Sequence, residues 1–333
     1  MRVGIDVSPL ALTRAGTTRH IRSLVAALER EPELELRRYD FGGKTRALVP
    51  VRDTAWYLAA LPALARRDRV EVLHCTTVRA PTFSSVPLVV TVHDLAVLRH
   101  PQTFNAWTRH YTRLLLPRVL RAAARVIAVS DFTRRELIEL LAVPEEKIRV
   151  IPNAVGKPFE PKGPVADGDY VLAVSTLEPR KNFPRLVEAF RRAKLDGCEL
   201  VVAGSRGWGG VRVEGTDVRW IGHPDDQELA RLYRGARCFA YVSLYEGFGL
   251  PVLEAMACGA PVVAASTDVA REVADGAAVL VDPLDPDAIA RGLREAIGRR
   301  DELVTHGLEQ AARFNWDAVG RATLEVYREA AAA

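Results

Sequence analysis

Residues 170–193 decide the architecture. They run Tyr170-Val171-Leu172-Ala173-Val174, then Ser175-Thr176-Leu177-Glu178-Pro179-Arg180-Lys181-Asn182, then a helical pattern over Pro184–Ala193. An unbroken valine-rich apolar run predicts a strand buried on both faces, the environment of a parallel sheet covered by helices. Pro184 suits the first turn of the helix that follows. The rhythm continues toward the carboxyl end with strands over Glu199–Ala203, Val218–Ile221, Cys238–Val242 and Pro261–Ala264, and helices over Gln227–Arg234 and Pro251–Met256. Helical segments around Pro286–Arg299 and Trp316–Ala330 close the chain. Toward the amino end it reads strands Val3–Val7, Val70–His74, Leu88–Val92 and Arg125–Val129, with helices Thr18–Leu28 and Thr133–Leu141. Such βαβ alternation predicts doubly wound α/β sheets, which bind ligands outside the carboxyl ends of their strands.

One segment breaks the rhythm. Gly156-Lys157-Pro158-Phe159-Glu160-Pro161-Lys162-Gly163-Pro164 holds three prolines and two glycines, and reads as an interdomain linker. The 333 residues then divide into two Rossmann-like domains facing each other across a cleft. With 48% hydrophobic and 26% charged residues the chain falls outside disordered and collagen-like classes. No uncharged apolar run reaches the ~18 residues of a membrane span. Met1-Arg2-Val3-Gly4-Ile5-Asp6 meets an acid before any apolar stretch, which is not the pattern of a signal peptide. Cys75, Cys198, Cys238 and Cys258 lack paired spacing, which argues against a zinc site and for a reducing, cytoplasmic compartment. The formal charge of +4 hides a split: residues 1–164 carry a net +10 and residues 165–333 a net −6. The basic half implies an anionic partner or, alternatively, a face of solvated arginines.

Two segments carry chemistry. Arg180 and Lys181 stand just before a helix N-terminus, where positive charge opposes the helix dipole unless an anion binds. Two cations, amide donors and the dipole together suit a phosphate, while two solvated cations beside a loop are the bland alternative. Lys181 is one of only six lysines, which makes it less incidental. The second segment is Glu246-Gly247-Phe248-Gly249-Leu250-Pro251-Val252-Leu253-Glu254. Its glycines permit close backbone approach, and its helix start offers amide donors. Glu246 and Glu254 can accept from sugar or ribose hydroxyls; a helix cap plus a surface carboxylate fits the spacing equally well. A glycosidase pair is a further alternative, but it needs no neighbouring phosphate-binding cations.

Glu246-x7-Glu254, continued by Ala255-Met256-Ala257-Cys258-Gly259-Ala260-Pro261-Val262-Val263, resembles the signature of retaining glycosyltransferases of the GT-B fold, family 4. Val92-His93-Asp94-Leu95, Val129-Ser130-Asp131, Val150-Ile151-Pro152-Asn153, Glu178-Pro179-Arg180-Lys181-Asn182 and Gly204-Ser205-Arg206-Gly207-Trp208 match in order, over essentially the whole chain. The resemblance implies an acceptor-binding domain over 1–160, joined by a returning helix 316–333, and a nucleotide-sugar domain over 166–315. It implies that Arg180 and Lys181 neutralise the donor diphosphate. Glu246 would hold donor-sugar hydroxyls with the amides of Phe248, Gly249 and Leu250, and Glu254 the ribose. His93 would face the transferred sugar. Ser130 would touch donor or acceptor, although helix capping explains it as well. The Ile221-Gly222-His223-Pro224 loop would meet the base, and Gly204, Gly16 and Thr17 would border the donor. The family's first loop usually carries two glycines; here Gly16 fits and Thr18 replaces the second, supplying a hydroxyl or a helix N-cap instead.

The implied reaction moves a hexosyl group, mannosyl first, from a nucleotide-diphosphate sugar to a glycan or lipid-linked acceptor with retention. GDP-mannose is the first donor expected and UDP-sugars the next. No metal or other cofactor is required, because Arg180 and Lys181 take the metal's place, and no nucleic acid is involved. A non-catalytic nucleotide-sugar or glycan binder and a nucleotide-sugar epimerase on the same fold are the alternatives. A dehydrogenase is weaker, since no G-x-G-x-x-G follows the first strand. Phe104–Arg125 places Trp107, Tyr111, Leu114 and Leu115 among five arginines, with Pro117 as an interruption. It reads either as peripheral contact with an anionic membrane or as a core helix with an arginine face.

Overall fold

The computed structural model describes residues 1–11, 16–42, 48–213 and 215–333. The chain divides into two compact units, Met1–Asn153 with Trp316–Ala333, and Ala154–Asn315. Each is built on a six-stranded parallel sheet.

The sheet of the first unit contains β1 (Arg2–Asp6), β2 (Glu35–Tyr39), β3 (Val72–Cys75), β4 (Leu88–Val92), β5 (Arg125–Ala128) and β6 (Ile148–Val150), in the order β2-β1-β3-β4-β5-β6. The interior strands β3 and β4 are buried along their whole length, which their apolar composition requires. β2 has the sequence Glu-Leu-Arg-Arg-Tyr and sits at the edge, where charged side chains reach water and discourage further strand pairing. The chain leaves β1 in one direction for β2 and in the other for β3, so the switch point of this sheet lies between β1 and β3.

The final helix, Trp316–Ala331, packs into this unit. His74 Nδ1 lies 2.7 Å from the Tyr327 hydroxyl, and Glu329 pairs with Arg125 and Arg149. A Cβ at Gly320 would stand 3.2 Å from that of Ala27, so a small residue here lets two helices approach closely. The segment expected to be interrupted at Pro117 is one helix, Ala106–Ala122, with Pro117 inside it. Tyr111, Thr112, Leu116, Val119 and Leu120 anchor one face of it in the core. Leu114 on the other face is 58% exposed.

The second unit holds β7 (Tyr170–Val174), β8 (Glu199–Ala203), β9 (Val218–Trp220), β10 (Cys238–Tyr241), β11 (Val262–Ala265) and β12 (Val279–Val281), in the order β12-β11-β10-β7-β8-β9. Every residue of β7 is buried, and each large apolar side chain there contributes about 1.5–3 kcal/mol. The helices Phe183–Ala193 and Pro286–Gly298 supply Leu186, Phe190, Ile289 and Leu293 to the core. The switch point of this sheet lies between β7 and β10.

The unit changes at Asn153–Ala154, earlier than the expected boundary at residue 160. The physical reason lies in the apolar and backbone needs of residues 154–160. Phe159 is buried against Tyr233 with ring centroids 6.1 Å apart, and the Val155 amide donates to the Phe314 carbonyl. The proline-rich segment is therefore part of the second unit rather than a free tether.

Candidate active site

The loops that follow β7 and β10 meet at the switch point of the second sheet. Pro179–Lys181 forms a single 3-10 turn, and Asn182 then takes a left-handed conformation (φ 62°) before the helix Phe183–Ala193. Asn182 holds this bend: its Nδ2 donates to the carbonyls of Val242 (3.1 Å) and Pro283 (2.7 Å). The Leu244 amide donates to the Arg180 carbonyl at 2.9 Å, stitching the two loops together.

This scaffold brings Arg180, Lys181 and Glu246 into one cluster. Lys181 Nζ donates to Glu246 Oε1 at 2.5 Å and stands 5.6 Å from the centre of the Tyr241 ring. Arg180 Nη1 donates to the Tyr245 carbonyl at 2.7 Å and lies 3.5 Å from Glu246 Oε2. Its Nη2 donates to Glu178 Oε1 at 2.7 Å. The anion that two cations before a helix demand is supplied here by Glu178 and Glu246, two carboxylates against two cations. All four side chains are largely withdrawn from water.

Burial alone would raise the Glu246 carboxyl. The charges of Lys181 and Arg180, with hydrogen bonds from Lys181 and Ser243, outweigh it and pull the carboxyl from 4.5 to about 2. Because the folded value is depressed, the stabilisation is present above pH ~4.5 and lost as pH falls toward 2. Glu246→Gln should therefore destabilise the protein on the order of 3 kcal/mol at pH 7, a deficit that shrinks between pH 4.5 and 2. Urea unfolding of both proteins across that range measures it; a deficit independent of pH contradicts the assignment.

Around Glu246 a narrow pocket is lined by Tyr241, Ser243, Gly249 and Thr267. Gly249 has φ 92° and turns the chain into the helix Leu250–Ala257; a Cβ there would stand 3.9 Å from the ring of Tyr241, the last residue of β10. Phe248 is buried, its ring edge-on to Phe314 at 5.9 Å. Gly204 has a packing reason: a Cβ there would fall 1.8 Å from the Ser175 carbonyl oxygen. His223 is exposed on its loop.

Glu254, Ser130 and Thr18 are all buried. Glu254 is 2% exposed, and its Oε2 accepts a hydrogen bond from the Tyr233 hydroxyl at 3.2 Å. That oxygen is engaged with a tyrosine of the same unit. Ser130 is fully buried and caps the helix Asp131–Leu141, accepting from the Thr133 amide at 3.0 Å. The helix expected from Thr18 begins at Gly16, so Thr18 is a buried residue inside it and no N-cap. Ala15, just before it, lies outside the described residues.

In the first unit His93 follows β4. Its Nε2 is 2.9 Å from the Thr76 carbonyl and donates its proton there; burial lowers its pKa, which leaves the ring neutral at pH 7. His20, from the helix Gly16–Leu28, packs edge-on against it with centroids 4.6 Å apart. Thr17 lines a separate cavity of this unit. Sequence reasoning left Glu178, Ser243 and Asn182 without a role in the cluster. Glu178 and Asn182 stood inside a quoted motif; Glu178 meets Arg180 two residues on, while the partners of Asn182 come from loops 60 and 101 residues away. Among the described residues no group of three or more His, Cys, Asp or Glu side chains is placed to hold a metal ion. Nor is any described helix long and apolar enough to cross a membrane.

The model for glycosyl transferases group 1 matches residues 157–313, and that for glycosyltransferase family 4 matches residues 4–156. O-antigen chain mannosyltransferase B of Escherichia coli is 33% identical over 267 residues, 72% of this chain and 70% of that protein. The D-inositol 3-phosphate glycosyltransferase of Frankia alni is 32% identical over 74% of this chain and 69% of that protein. Serotype-specific mannosyltransferase WbdA of Escherichia coli is 27% identical over 68% of this chain, which spans only 32% of it. Among solved structures, sucrose-phosphate synthase of Thermosynechococcus elongatus superposes with a TM-score of 0.76 at 21% identity over 98% of both chains. Anabaena Alr3699/HepE in complex with UDP-glucose gives 0.75 at 20%, again over 98% of both. The two parallel sheets and their neighbours define a GT-B glycosyltransferase fold. The chain belongs to the group 1, family 4 glycosyltransferases.

Proposed function

We propose that this protein transfers a hexosyl group, mannosyl in the first instance, from a nucleotide-diphosphate sugar to a hydroxyl of a glycan or lipid-linked acceptor, with retention and without a metal. The observation that carries the reading is the convergence of Arg180, Lys181 and Glu246 at the switch point between β7 and β10. The mannosyltransferase relatives favour mannose, and the UDP-glucose in the Anabaena structure supports a nucleotide sugar as donor.

In this reading the donor diphosphate competes with Glu246 and Glu178 for the two cations. Arg180 and Lys181 then stabilise the charge that grows on the leaving diphosphate, and Glu246 is released to accept from donor-sugar hydroxyls. The amides of Phe248, Gly249 and Leu250 orient the same sugar. The leaving phosphate takes the acceptor proton as the acceptor attacks the face that the phosphate vacates. Catalysis then rests on placement and charge stabilisation, with no side-chain nucleophile. Trp107 and Leu114, exposed on the arginine-bearing face of the helix Ala106–Ala122, support peripheral contact with anionic lipid.

The test is incubation with individual GDP- and UDP-sugars, following nucleotide release with and without EDTA. One donor should release nucleotide at a rate that EDTA leaves unchanged. Release from no donor contradicts the transferase reading, and loss with EDTA that Mg²⁺ restores contradicts the metal-free one.

A further inference from the structure

The first unit contains a cavity of about 270 Å³ at the switch point of its sheet, just below the roughly 300–1,000 Å³ of small-molecule sites. Pro9 and Thr17 reach it from beyond β1, Thr77, Val78 and Arg79 from beyond β3, and Tyr111 and Leu116 from the helix Ala106–Ala122. Open α/β sheets bind ligands at this position. Three features go beyond position. Tyr111 is only 8% exposed, yet its hydroxyl has no hydrogen-bond partner among the described residues. A buried hydroxyl without a partner costs about 1–3 kcal/mol unless a ligand or water satisfies it.

The second feature is charge. Arg52 and Arg79, both on the cavity wall, share one carboxylate, the fully buried Asp53. Arg52 Nε and Nη2 donate to Asp53 Oδ1 at 3.2 and 2.8 Å, and Trp107 Nε1 donates to Oδ2 at 3.0 Å. With Asp53 so occupied, Arg79 reaches it only at 3.5 Å, and its guanidinium stands 5.6 Å from the centre of the Tyr111 ring. The third feature is an apolar wall beside these polar groups, formed by Val78, Val97 and Leu116.

We propose that this cavity is the acceptor subsite and that it takes an acidic acceptor. A phosphate or carboxylate of the acceptor is met by Arg79, the Tyr111 hydroxyl donates to the same group, and the attached carbon skeleton rests on Val78, Val97 and Leu116. The assignment rests on the transferase reading above for the word acceptor; the site itself does not.

Calorimetric titration of the full chain tests it with three probes: hexyl phosphate, hexyl glucuronide and hexyl glucoside. At least one anionic probe should bind ten-fold or more tightly than the neutral glucoside, and which one does so separates phosphate from carboxylate. Arg79→Gln should weaken that probe ten-fold or more and Tyr111→Phe about three-fold, with nucleotide binding by either variant unchanged. Equal binding of the glucoside, binding of no probe, or indifference to both substitutions overturns the proposal. Nucleotide binding is measured in parallel. If the wild-type protein binds the acidic probe but no nucleotide, the transferase reading fails and the acidic site stands.

Discussion

Lys181→Ala should lower turnover about 100-fold or more, equivalent to about 2.7 kcal/mol of transition-state stabilisation. Two features of the site set this magnitude. Lys181 is largely withdrawn from water, so its charge acts in a low-dielectric setting where it is worth more than at the surface. Its ammonium is also fixed beside the Tyr241 ring and Glu246, so the cation is already in place when the diphosphate displaces that carboxylate. Glu246→Ala should cost a similar factor, because it removes the group that orders both cations as well as an acceptor for sugar hydroxyls. Steady-state rates of the folded variants provide the check. If either retains near wild-type transfer, the cluster is not the active site.

Gly204→Ala should destabilise the protein by about 3 kcal/mol or more. The residue follows β8 with φ 151°, a conformation that L side chains rarely adopt. An added Cβ would lie 1.8 Å from the Ser175 oxygen and 2.5 Å from its carbonyl carbon, both backbone atoms with nowhere to swing. The strand-end loops must then separate, and the loop displaced is the one that carries Arg180 and Lys181. Urea unfolding should show the loss together with weakened nucleotide binding. A substitution within 1 kcal/mol of wild type would mean that the loop is more adaptable than this geometry allows.

The parts of the fold legible in the sequence are those in which one physical signal dominates. β4, β7 and β8 run over the expected residues, because interior parallel strands are continuous apolar runs. β2, β6 and β12 were not read. β2 is an edge strand whose charged residues hide the pattern, and β6 and β12 are three residues long. The helical stretch Arg52–Ala60 and Leu61–Arg67 was also missed; it is alanine-rich, interrupted by Pro62, and opens as a wide π-type helix. The helix Arg300–Ala312 followed directly on another and had no break to announce it.

The candidate site was legible as three residues and not as a network. Arg180 and Lys181 stand out locally, because cations before a helix need an anion. Glu178 is a local partner of Arg180, but that Glu246 is the second anion depends on how the loops beyond β7 and β10 come together, which no local spacing encodes. Glu254 shows the same limit from the other side. Its helical spacing from Glu246 suggested a shared ligand, while its burial beside Tyr233 follows from the packing of the helices Leu250–Ala257 and Asp226–Gly235.

The proposed sugar transfer proceeds with retention, driven by the Arg180–Lys181–Glu246 cluster and not by a covalent nucleophile. The most direct measurement is NMR of the product formed from the donor that releases nucleotide, read at the anomeric carbon from the earliest time points. An α-linked donor should give an α-linked product. A β-linked product as the first species formed would rule out retention.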